Sequence, residues 1–429
     1  MTAYRTIILL GLGAAILAAQ PKGQPILRTV ASLNQYNQPA GIIEGSPGVF
    51  YSMTSGNVFS VTSKGAMTTL AVPPTGAQVI SRVVSGPDGR YYTAVESSFD
   101  PQILSVTSSP GSAVTGPVQS IAPAMYQGVP DGTFLGGGQL DASGYVLGVS
   151  ASGQVTPVYQ FPSGERQYSN VVYANDGNYY GVSQQNPATT GYVYRVTPSG
   201  TLTQLYNFPA GSFAGYYGVA ILQASDGNFY GTTPTGGPHG SGTIYKLTPS
   251  GQYTLLYAYA SPRNGGPVAL IEGSDGNLYG ATLGTVGSGH SLLFRIGKSG
   301  AYSPVVELTT AYCYCTLVQG SDGIIYGTAQ AGGASGAGEI FALDVGLPKP
   351  LPSPLKFGPQ SGAPGTRVRI WGQNLLSASV AFNGVAAREV SNSGSNYVWA
   401  TVPTGATSGP ITVTTPGGSA TTQSSFTVE

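Results

Sequence analysis

Hydrophobic and polar positions alternate over short segments along most of the chain, and glycine-rich turns separate these segments. One example is "SDGNFYGTT" at residues 225–233, in which an Asp-Gly turn leads into a short aromatic segment. Related phrases recur as "NDGNYYGVS" from residue 175, "SDGNLYGAT" from residue 274 and "SDGIIYGTA" from residue 321. Period-two alternation and Asp-Gly turns are typical of antiparallel hairpins. The pattern therefore predicts an all-β chain.

The repeated phrase divides most of the chain into seven similar units. Their turn glycines are Gly48, Gly89, Gly132, Gly177, Gly227, Gly276 and Gly323. In the fifth unit the four strand segments are "GVAILQAS", "NFYGTT", "GTIYKLTPSG" and "YTLLYAY". A period of about 40 to 50 residues with four strands each is typical of propeller blades. We therefore predict a seven-bladed β-propeller over residues 20–346, in which the Asp-Gly pair supplies the positive φ angles of a tight hairpin.

The two ends of the repeat region complement each other. The seventh unit stops after "GEIFALDVG", without a fourth strand, whereas the segment "ILRTVASL" at residues 26–33 precedes the first unit and belongs to none. Pairing this segment with the last strand of unit seven would complete the blade and remove exposed strand edges. The sequence thus predicts a propeller closed by its N-terminal strand.

A second domain follows the repeats. Residues 347–354, within "GLPKPLPSP", form a stiff proline-rich linker. From residue 355 to residue 429, short apolar segments alternate with glycine and proline turns, which is typical of an immunoglobulin-like β-sandwich. We expect this segment to fold independently.

Charge is scarce and balanced. Charged residues make up 8% of the chain, and 17 Lys and Arg balance 17 Asp and Glu. Such a chain has no net field to attract nucleic acid or an anionic membrane, so neither is predicted as a partner.

The N-terminus indicates export. Arg5 precedes an apolar run of 14 residues from Thr6 to Ala19. This run is shorter than the about 20 residues of a membrane-spanning helix and is typical of a signal peptide. We expect residues 1–19 to be a signal peptide, the mature chain to have no transmembrane span, and the protein to be extracellular or at the cell surface. An uncleaved signal that tethers the chain is the alternative.

The two cysteines, Cys313 and Cys315, are separated by one residue, so an extended strand places both on one face. A local disulfide in an oxidising compartment and two reduced, packed thiols are both open. A metal site would need further ligands that nothing nearby supplies, and no metal or other cofactor is predicted.

The phrase "GSDGNxYGTT…GGxxGxGTIYKLTPSG" resembles the GloVer tandem repeats of bacterial surface proteins over residues 170–345. This resemblance implies an exported, repeat-built surface protein. The C-terminal segment resembles an IPT/TIG domain, which implies a fold but no ligand. The matching positions, all at turns or in the core, are Pro359, Pro364, Gly365, Gly372, Leu375, Phe382, Gly384, Val402, Pro403, Gly409 and Phe426.

The sequence contains few residues or motifs that are typical of catalytic sites. The two histidines, His239 and His290, fall in glycine-rich loops, and neither a G-x-S-x-G nor an H-E-x-x-H motif occurs. The recurring turn aspartates stand alone, which favours a structural role over calcium binding. Glu44 and Glu272 occupy one column of the repeat, three residues before the turn-forming position. They could be the carboxylate pair of a glycosidase or members of a polar ring at the channel end. We therefore predict no catalytic residues and leave enzymatic activity open.

A binding surface is the preferred interpretation. Connections that lead from the fourth strand of one unit into the next share one face of a propeller, and in units four to six they are rich in Tyr, Arg and Asn. The predicted ligand-binding residues are Arg166, Tyr168, Tyr216, Tyr217, Arg263 and Asn264. Aromatic rings stack on sugars while Arg and Asn bind hydroxyl groups. The sequence thus predicts a non-catalytic secreted or surface protein that binds an extracellular glycan or protein. An extracellular polysaccharide hydrolase or lyase on a propeller scaffold is the alternative.

Overall fold

The protein is all-β wherever its structure is described. The computed structural model describes residues 24–33, 39, 41–97, 100–108, 112–117, 124–128, 132–140, 143–167, 169–185, 190–210, 220–260, 266–284, 291–308, 313 and 315–429. Every regular element in these ranges is a β-strand, as the hydrophobic pattern predicts. These residues contain no helix that is long and apolar enough to cross a bilayer.

Seven antiparallel sheets follow the repeat units within the described residues. Strand β1 (Ile26–Ser32) precedes sheet 1. Sheet 1 contains β2 (Ile42–Ser46), β3 (Val49–Thr54), β4 (Asn57–Thr62) and β5 (Met67–Ala71). Sheet 2 contains β6 (Gln78–Val79), β7 (Val84–Ser85), β8 (Tyr91–Ser97), β9 (Asp100–Val106) and β10 (Ser112–Pro117). Sheet 3 contains β11 (Ala124–Gly128), β12 (Phe134–Leu140), β13 (Ser143–Val149) and β14 (Val155–Gln160).

The later sheets repeat this order. Sheet 4 contains β15 (Arg166–Gln167), β16 (Val172–Tyr173), β17 (Tyr179–Gln185), β18 (Thr190–Val196) and β19 (Leu202–Phe208). Sheet 5 contains β20 (Ile221–Gln223), β21 (Phe229–Thr233), β22 (Thr243–Leu247) and β23 (Tyr253–Ala258). Sheet 6 contains β24 (Pro267–Glu272), β25 (Leu278–Thr282), β26 (Ser291–Ile296) and β27 (Tyr302–Leu308). Sheet 7 contains β28 (Leu317–Gln319), β29 (Ile325–Ala329), β30 (Glu339–Asp344) and, at its outer edge, β1.

Strand β1 joins sheet 7 although about 300 residues separate the two in sequence. It pairs antiparallel with β30, from Ile26 opposite Asp344 to Ser32 opposite Glu339. The Thr29 hydroxyl donates to the Glu339 carboxylate at 2.6 Å, and the Ala334 N–H donates to Ser32 Oγ at 2.9 Å. The N-terminal strand therefore covers what would be an open edge of β30.

Apolar layers join each sheet to the next. Tyr180 of sheet 4 stacks on Phe229 of sheet 5, with ring centroids 4.1 Å apart. Phe50 of sheet 1 lies 4.0 Å from Tyr326 of sheet 7 in the same way. Seven buried clusters each combine residues from two neighbouring sheets, and one of them joins sheet 7 to sheet 1. Within the described residues, the layers thus form a closed series that is stabilised by burial of aromatic and aliphatic side chains.

Serine hydroxyls divide the first strand in sheets 2 and 4, so each of these sheets has five strands where the repeat predicts four. Ser81 Oγ accepts from the Ala94 N–H at 2.7 Å, and Ser169 Oγ accepts from the Val182 N–H at 2.8 Å. Each hydroxyl replaces a backbone carbonyl in the ladder and so separates β6 from β7 and β15 from β16.

Residues 353–428 form two further sheets. The first, in spatial order, contains β31 (Ser353–Gly358), β33 (Arg367–Gln373), β37 (Tyr397–Thr401) and β36 (Val390–Ser393). The second contains β32 (Ser361–Gly362), β39 (Gly418–Val428), β38 (Gly409–Thr415), β34 (Ser379–Phe382) and β35 (Val385–Ala386). A separate core that includes Phe357, Ile370 and Phe426 lies between them. This part of the chain, called the C-terminal domain below, has its own hydrophobic core.

The Tyr245 hydroxyl provides a test of packing between the sheets. Tyr245 lies opposite Gly231, its hydroxyl is buried, and no partner for it occurs in the described residues. Sheets 6 and 7 carry Phe294 and Phe341 at the same position, opposite Gly280 and Gly327. Because an unpaired buried hydroxyl costs about 1 to 3 kcal/mol, we expect Tyr245→Phe to raise the melting temperature.

The equivalent change in sheet 4 serves as the control. The Tyr194 hydroxyl accepts a hydrogen bond from Gln167 Nε2 at 3.2 Å, so Tyr194→Phe should lower the melting temperature. Equal effects of the two substitutions in differential scanning calorimetry would contradict this assignment.

Candidate functional site

The recurring Asp-Gly phrase forms a hairpin turn at one end of the sheets, called the turn end below. In sheet 5 the Gly227 N–H bonds the Ala224 carbonyl and the Ala224 N–H bonds the Asn228 carbonyl, both at 2.9 Å. All seven turn glycines have a positive φ, between 69° and 94°, and none of the turn aspartates in the described residues does. The positive φ angle predicted for the Asp-Gly pair is therefore found at the glycine. The turn contains three residues between Ala224 and Asn228, and only its glycine has a left-handed backbone conformation.

The turn aspartate fixes the aromatic residue that follows it. In sheet 5 the Tyr230 hydroxyl donates to Asp226 at 2.9 Å, and the Asn228 N–H donates to the same carboxylate at 3.1 Å. The same Asp–Tyr bonds, from 2.6 to 2.9 Å, join Asp88 to Tyr92, Asp176 to Tyr180, Asp275 to Tyr279 and Asp322 to Tyr326. Asp131 lies outside the described residues. Each of these aspartates is thus a structural acceptor within its own hairpin.

The column that contains Glu44 and Glu272 links neighbouring sheets at the turn end. Gln223 Oε1 accepts from the Asn175 N–H of sheet 4 at 2.8 Å. Gln319 Oε1 accepts from the Ser274 N–H of sheet 6 at 2.9 Å. Each side chain therefore reaches the turn of the preceding sheet and accepts a backbone N–H that would otherwise lack a partner in the turn. We call such a contact an inter-sheet bond.

The two glutamates make the same contact with a carboxylate. Glu44 accepts from the Ser321 N–H at 2.6 Å, from the Ser321 hydroxyl at 2.9 Å and from the Gly48 N–H at 2.8 Å. Glu272 accepts from the Ser225 N–H at 2.7 Å and from its hydroxyl at 2.6 Å, and pairs with Lys298 at 2.5 Å. Both carboxylates have donors on each oxygen. This geometry supports the polar-ring interpretation over the carboxylate pair of a glycosidase.

Burial raises the pKa of two of the glutamates. Burial raises the pKa of Glu44 above its ordinary value, against the lowering effect of hydrogen bonds from Gly48 and Ser321. Burial likewise raises the pKa of Glu339, while the Thr29 hydroxyl lowers it. Both side chains lie between sheet 7 and the segment that precedes or forms sheet 1. The junction between sheets 7 and 1 therefore contains two carboxyl groups whose pKa is raised by burial.

The predicted ligand-binding residues belong to the opposite end of the sheets, called the loop end below. Arg166 is exposed on β15, where it pairs with Gln184. Tyr168, Tyr216, Tyr217, Arg263 and Asn264 lie outside the described residues, as does His290. The structure therefore locates one of the six predicted positions.

Other polar side chains surround Arg166. Glu165 Oε2 accepts from the Tyr192 hydroxyl at 2.7 Å, and the Glu165 carbonyl accepts from the Gly144 N–H of sheet 3 at 2.8 Å. Gln184 is buried, and Gln167 Oε1 is buried with no donor among the described residues. Burial, followed by the bond to Glu165, raises the pKa of Tyr192. Of these side chains, only that of Arg166 is exposed, and its guanidinium can donate to sugar hydroxyl groups.

Sequence reasoning selected Arg166 but missed Glu165, Gln167 and Gln184. Glu165 and Gln167 stand directly beside Arg166 in "FPSGERQYSN", so their chemistry is visible in the sequence. Gln184 lies 18 positions later, at the far end of β17, and only strand pairing places it opposite Arg166.

The glycine-rich loop that carries His239 has a structural explanation. Within residues 236–242, the Gly240 N–H bonds the Gly237 carbonyl and the Gly242 N–H bonds the Gly236 carbonyl. The loop at residues 332–338 has the same two bonds, with Ser335 in the place of His239. His239 is exposed. A loop that accepts serine at this position does not require histidine for its conformation.

Cys313 and Cys315 are joined in a disulfide, with Cα atoms 4.6 Å apart. Both are buried in the apolar layer between sheets 6 and 7. Of the two alternatives left open by the sequence, the structure therefore shows the bonded form.

Comparison with protein families identifies the repeat. Residues 167–349 match the family described as the Gloeobacter/Verrucomicrobia repeat. The tandem repeat recognised in the sequence is thus confirmed over this part of the chain. No curated protein matches the chain.

Solved structures with similar folds are of the propeller type. Virginiamycin B lyase from Staphylococcus aureus is 17% identical, with a TM-score of 0.57 over 75% of this chain and 99% of that chain. A fungal alcohol oxidase of the AA5 family, in complex with copper, is 13% identical, with a TM-score of 0.51 over 95% of this chain and 100% of that chain. At such low identity the likeness concerns the fold alone. The described part of the chain is therefore all-β with propeller-type structural neighbours, and residues 167–349 match the Gloeobacter/Verrucomicrobia repeat family.

Proposed function

We propose that the chain is an exported, non-catalytic binding protein that binds an extracellular glycan or protein at the loop end of sheets 4–6. The observation that carries this proposal is the unequal chemistry of the two ends. At the turn end, Asp and Glu side chains are committed to hairpins and inter-sheet bonds, whereas the loop end of sheet 4 presents the Arg166 side chain to solvent. An exposed guanidinium on a surface connection is available to a ligand.

The proposed scaffold is a seven-bladed β-propeller over residues 20–346, closed by the strand at residues 26–33. A linker at residues 347–354 connects it to an immunoglobulin-like domain of the IPT/TIG type at residues 355–429. The closed series of apolar layers supports the first part, and the separate core of the C-terminal domain supports the second. The structural match to the alcohol oxidase covers 95% of this chain. This share is larger than the part of the chain that precedes the linker, so the match also includes residues that follow the linker.

Export is proposed from two features. Residues 1–19 have the composition of a signal peptide, although they lie outside the described residues. The Cys313–Cys315 disulfide is of a kind that persists in oxidising compartments. Together they favour an extracellular or cell-surface location.

We prefer a binding function to a catalytic one because the two candidate catalytic carboxylates already accept hydrogen bonds from the protein. Glu44 and Glu272 have protein donors on both oxygens, so neither is placed to transfer a proton to a substrate. A polysaccharide hydrolase or lyase remains the alternative, and product release in the experiment below would establish it.

Stacking should supply most of the affinity for a glycan. We expect the double substitution Tyr216→Ala and Tyr217→Ala to weaken binding about tenfold or more, since aromatic contacts contribute about 1 kcal/mol per ring. Arg166→Ala should weaken binding as well, because the guanidinium is exposed beside Glu165. The measurement is a glycan panel titrated by calorimetry and assayed for released sugar.

Asp226→Ala provides the control at the other end of the sheets. It removes the acceptor for Tyr230 and Asn228, so it should lower the melting temperature while it leaves glycan affinity unchanged. If the tyrosine substitutions lower the melting temperature as much as Asp226→Ala does, the tyrosines are packing residues and the proposed site is wrong.

A further inference from the structure

One face of the first sheet in the C-terminal domain is rich in hydrogen-bond donors. Its side chains alternate along the strands with core residues such as Phe357, Ile370 and Val398, so they point away from the core. Arg369 lies 5.7 Å from the centre of the Trp399 ring and pairs with Trp399 across adjacent strands, so the two side chains order each other. This face, called the docking face below, consists of Lys356, Arg367, Arg369, Trp371 and Trp399.

The docking face contacts the turns of two sheets that are not neighbours. Trp399 Nε1 donates to the Pro87 carbonyl of sheet 2 at 2.9 Å. Lys356 Nζ donates to the Asn175 carbonyl of sheet 4 at 2.9 Å and lies 5.4 Å from the centre of the Tyr173 ring. One sheet of the C-terminal domain therefore extends from sheet 2 to sheet 4 across the turn end.

The two surfaces are complementary in hydrogen bonding and in charge. Each contacted carbonyl belongs to the residue directly before a turn aspartate, since Asp88 follows Pro87 and Asp176 follows Asn175. The docking face supplies an indole N–H and an ammonium group to these carbonyls, and it also carries two guanidinium groups. A cationic donor face opposite acceptors and acidic turns favours docking in this place.

The linker makes a third contact, away from sheets 2 to 4. The Ser274 hydroxyl of sheet 6 donates to the Pro348 carbonyl at 2.5 Å, and Gln319 Nε2 of sheet 7 donates to the same carbonyl at 3.2 Å. Asn374 Nδ2 of the C-terminal domain donates to the Leu351 carbonyl at 3.0 Å. The linker is therefore fixed to the sheets at one end and to the C-terminal domain at the other.

The three contacts surround the centre of the ring of sheets. They lie at sheet 2, at sheet 4 and at the junction of sheets 6 and 7. Successive contacts are at most three sheets apart, which is less than half of a closed series of seven, so the lines that join them enclose the centre.

The part of the chain that joins these contacts is continuous. The Leu375 N–H donates to the Ser395 carbonyl at 2.8 Å. These residues follow Asn374, which bonds the linker, and precede Asn396, whose Nδ2 lies 3.4 Å from Ser85 Oγ of sheet 2. The C-terminal domain thus connects the linker at sheets 6 and 7 to the contact at sheet 2.

We propose that the C-terminal domain and its linker form a cap over the turn end of the ring, so that the central opening is accessible from the loop end only. The partner of the docking face is thus the turn end of this same chain. The cap rests on the proposed propeller scaffold, and it adds to the proposed function the end from which a ligand reaches the ring. It does not depend on the residues proposed to bind that ligand.

The rate at which a maleimide labels an introduced thiol tests the cap. Ser85→Cys places a thiol under the C-terminal domain, since Ser85 is buried and lies beside Asn396. In an otherwise native chain we expect this thiol to react slowly. In a chain that also carries Lys356→Ala and Trp399→Ala, we expect it to react about tenfold faster or more, because opening of the cap then controls access. Trp399→Phe in place of Trp399→Ala keeps a ring without the N–H donor and should give a smaller increase.

Three controls accompany this measurement. Thr254→Cys places a thiol on an exposed position of β23, and it should react at one fast rate with and without the docking-face substitutions. Arg388→Ala alters an exposed residue outside the docking face and should leave the rate at position 85 unchanged. Hydrogen exchange over residues 409–415 shows whether the C-terminal domain stays folded in each variant.

Two results would overturn the cap. One is labelling at position 85, in the otherwise native chain, that is as fast as labelling at position 254. The other is equally slow labelling with and without the docking-face substitutions while the C-terminal domain stays folded, because Ser85 would then be covered by its own sheet. No glycan is present in this experiment, so its failure is distinct from failure of the proposed function, which the glycan titration measures.

Discussion

A chain that begins after residue 34 is expected to aggregate, or to melt about 10 °C or more below a chain that begins after residue 19. The shorter chain lacks β1, so the backbone groups of β30 from Glu339 to Asp344 lose their partners. It also lacks Ala31 and Leu33, which are buried between sheets 7 and 1. An unpaired apolar strand edge is a site for association between chains.

The loss extends to a buried carboxyl group. Glu339 would lose the Thr29 hydroxyl, its donor at 2.6 Å, and a buried polar group without its partner is costly. Arg28→Ala is the matched control, since it removes an exposed hydrogen bond to the Ser63 carbonyl but keeps the strand. Its melting temperature should stay close to that of the parent chain. Equal solubility and equal melting temperatures for the two starting points would refute closure by β1.

Glu44→Ala is expected to destabilise the fold by about 3 kcal/mol, because it leaves three donors without an acceptor at a buried position. These donors are the Gly48 N–H, the Ser321 N–H and the Ser321 hydroxyl. Glu44→Gln should cost much less, because Gln223 and Gln319 make the same inter-sheet bond in sheets 5 and 7. Urea denaturation at pH 7 measures both changes, and equal losses for Ala and Gln would contradict the assigned bond.

The same residue has a predicted pH dependence. Burial raises the pKa of Glu44 in the folded chain, so the folded state binds a proton more tightly than the unfolded state. The contribution of Glu44 to stability is then complete below the ordinary carboxyl pKa and is lost as the pH rises through the raised value. Glu44→Gln lacks this titration, whereas Glu339 and the turn aspartates remain in both chains. The stability difference between wild type and Glu44→Gln should therefore change as the pH rises through this range, and parallel curves would rule out the effect.

Local sequence patterns were sufficient to predict the positions of the strands and turns. Period-two alternation and the spacing of the turn glycines identify the strands of sheets 5 to 7, because these features act between residues close in sequence. The unassigned segment at residues 26–33 and the missing strand of unit seven indicate a pairing that the structure contains. The structure adds that, at the described turns, the positive φ angle belongs to the glycine and not to Asp226 or its described equivalents.

Tertiary structure decided what the polar residues do. Glu44 reaches Ser321 across 277 positions, and this contact turns a suspected catalytic carboxylate into an inter-sheet bond. Gln184 joins Arg166 only through strand pairing, and Trp399 meets Pro87 only because the C-terminal domain docks at the turn end. Tyr168, Tyr216, Tyr217, Arg263 and Asn264 stay predictions. A hydrophobic period shows which face of a strand is buried, because burial depends on local alternation. The partner of a polar side chain depends on which distant segments the folded chain brings within hydrogen-bonding distance.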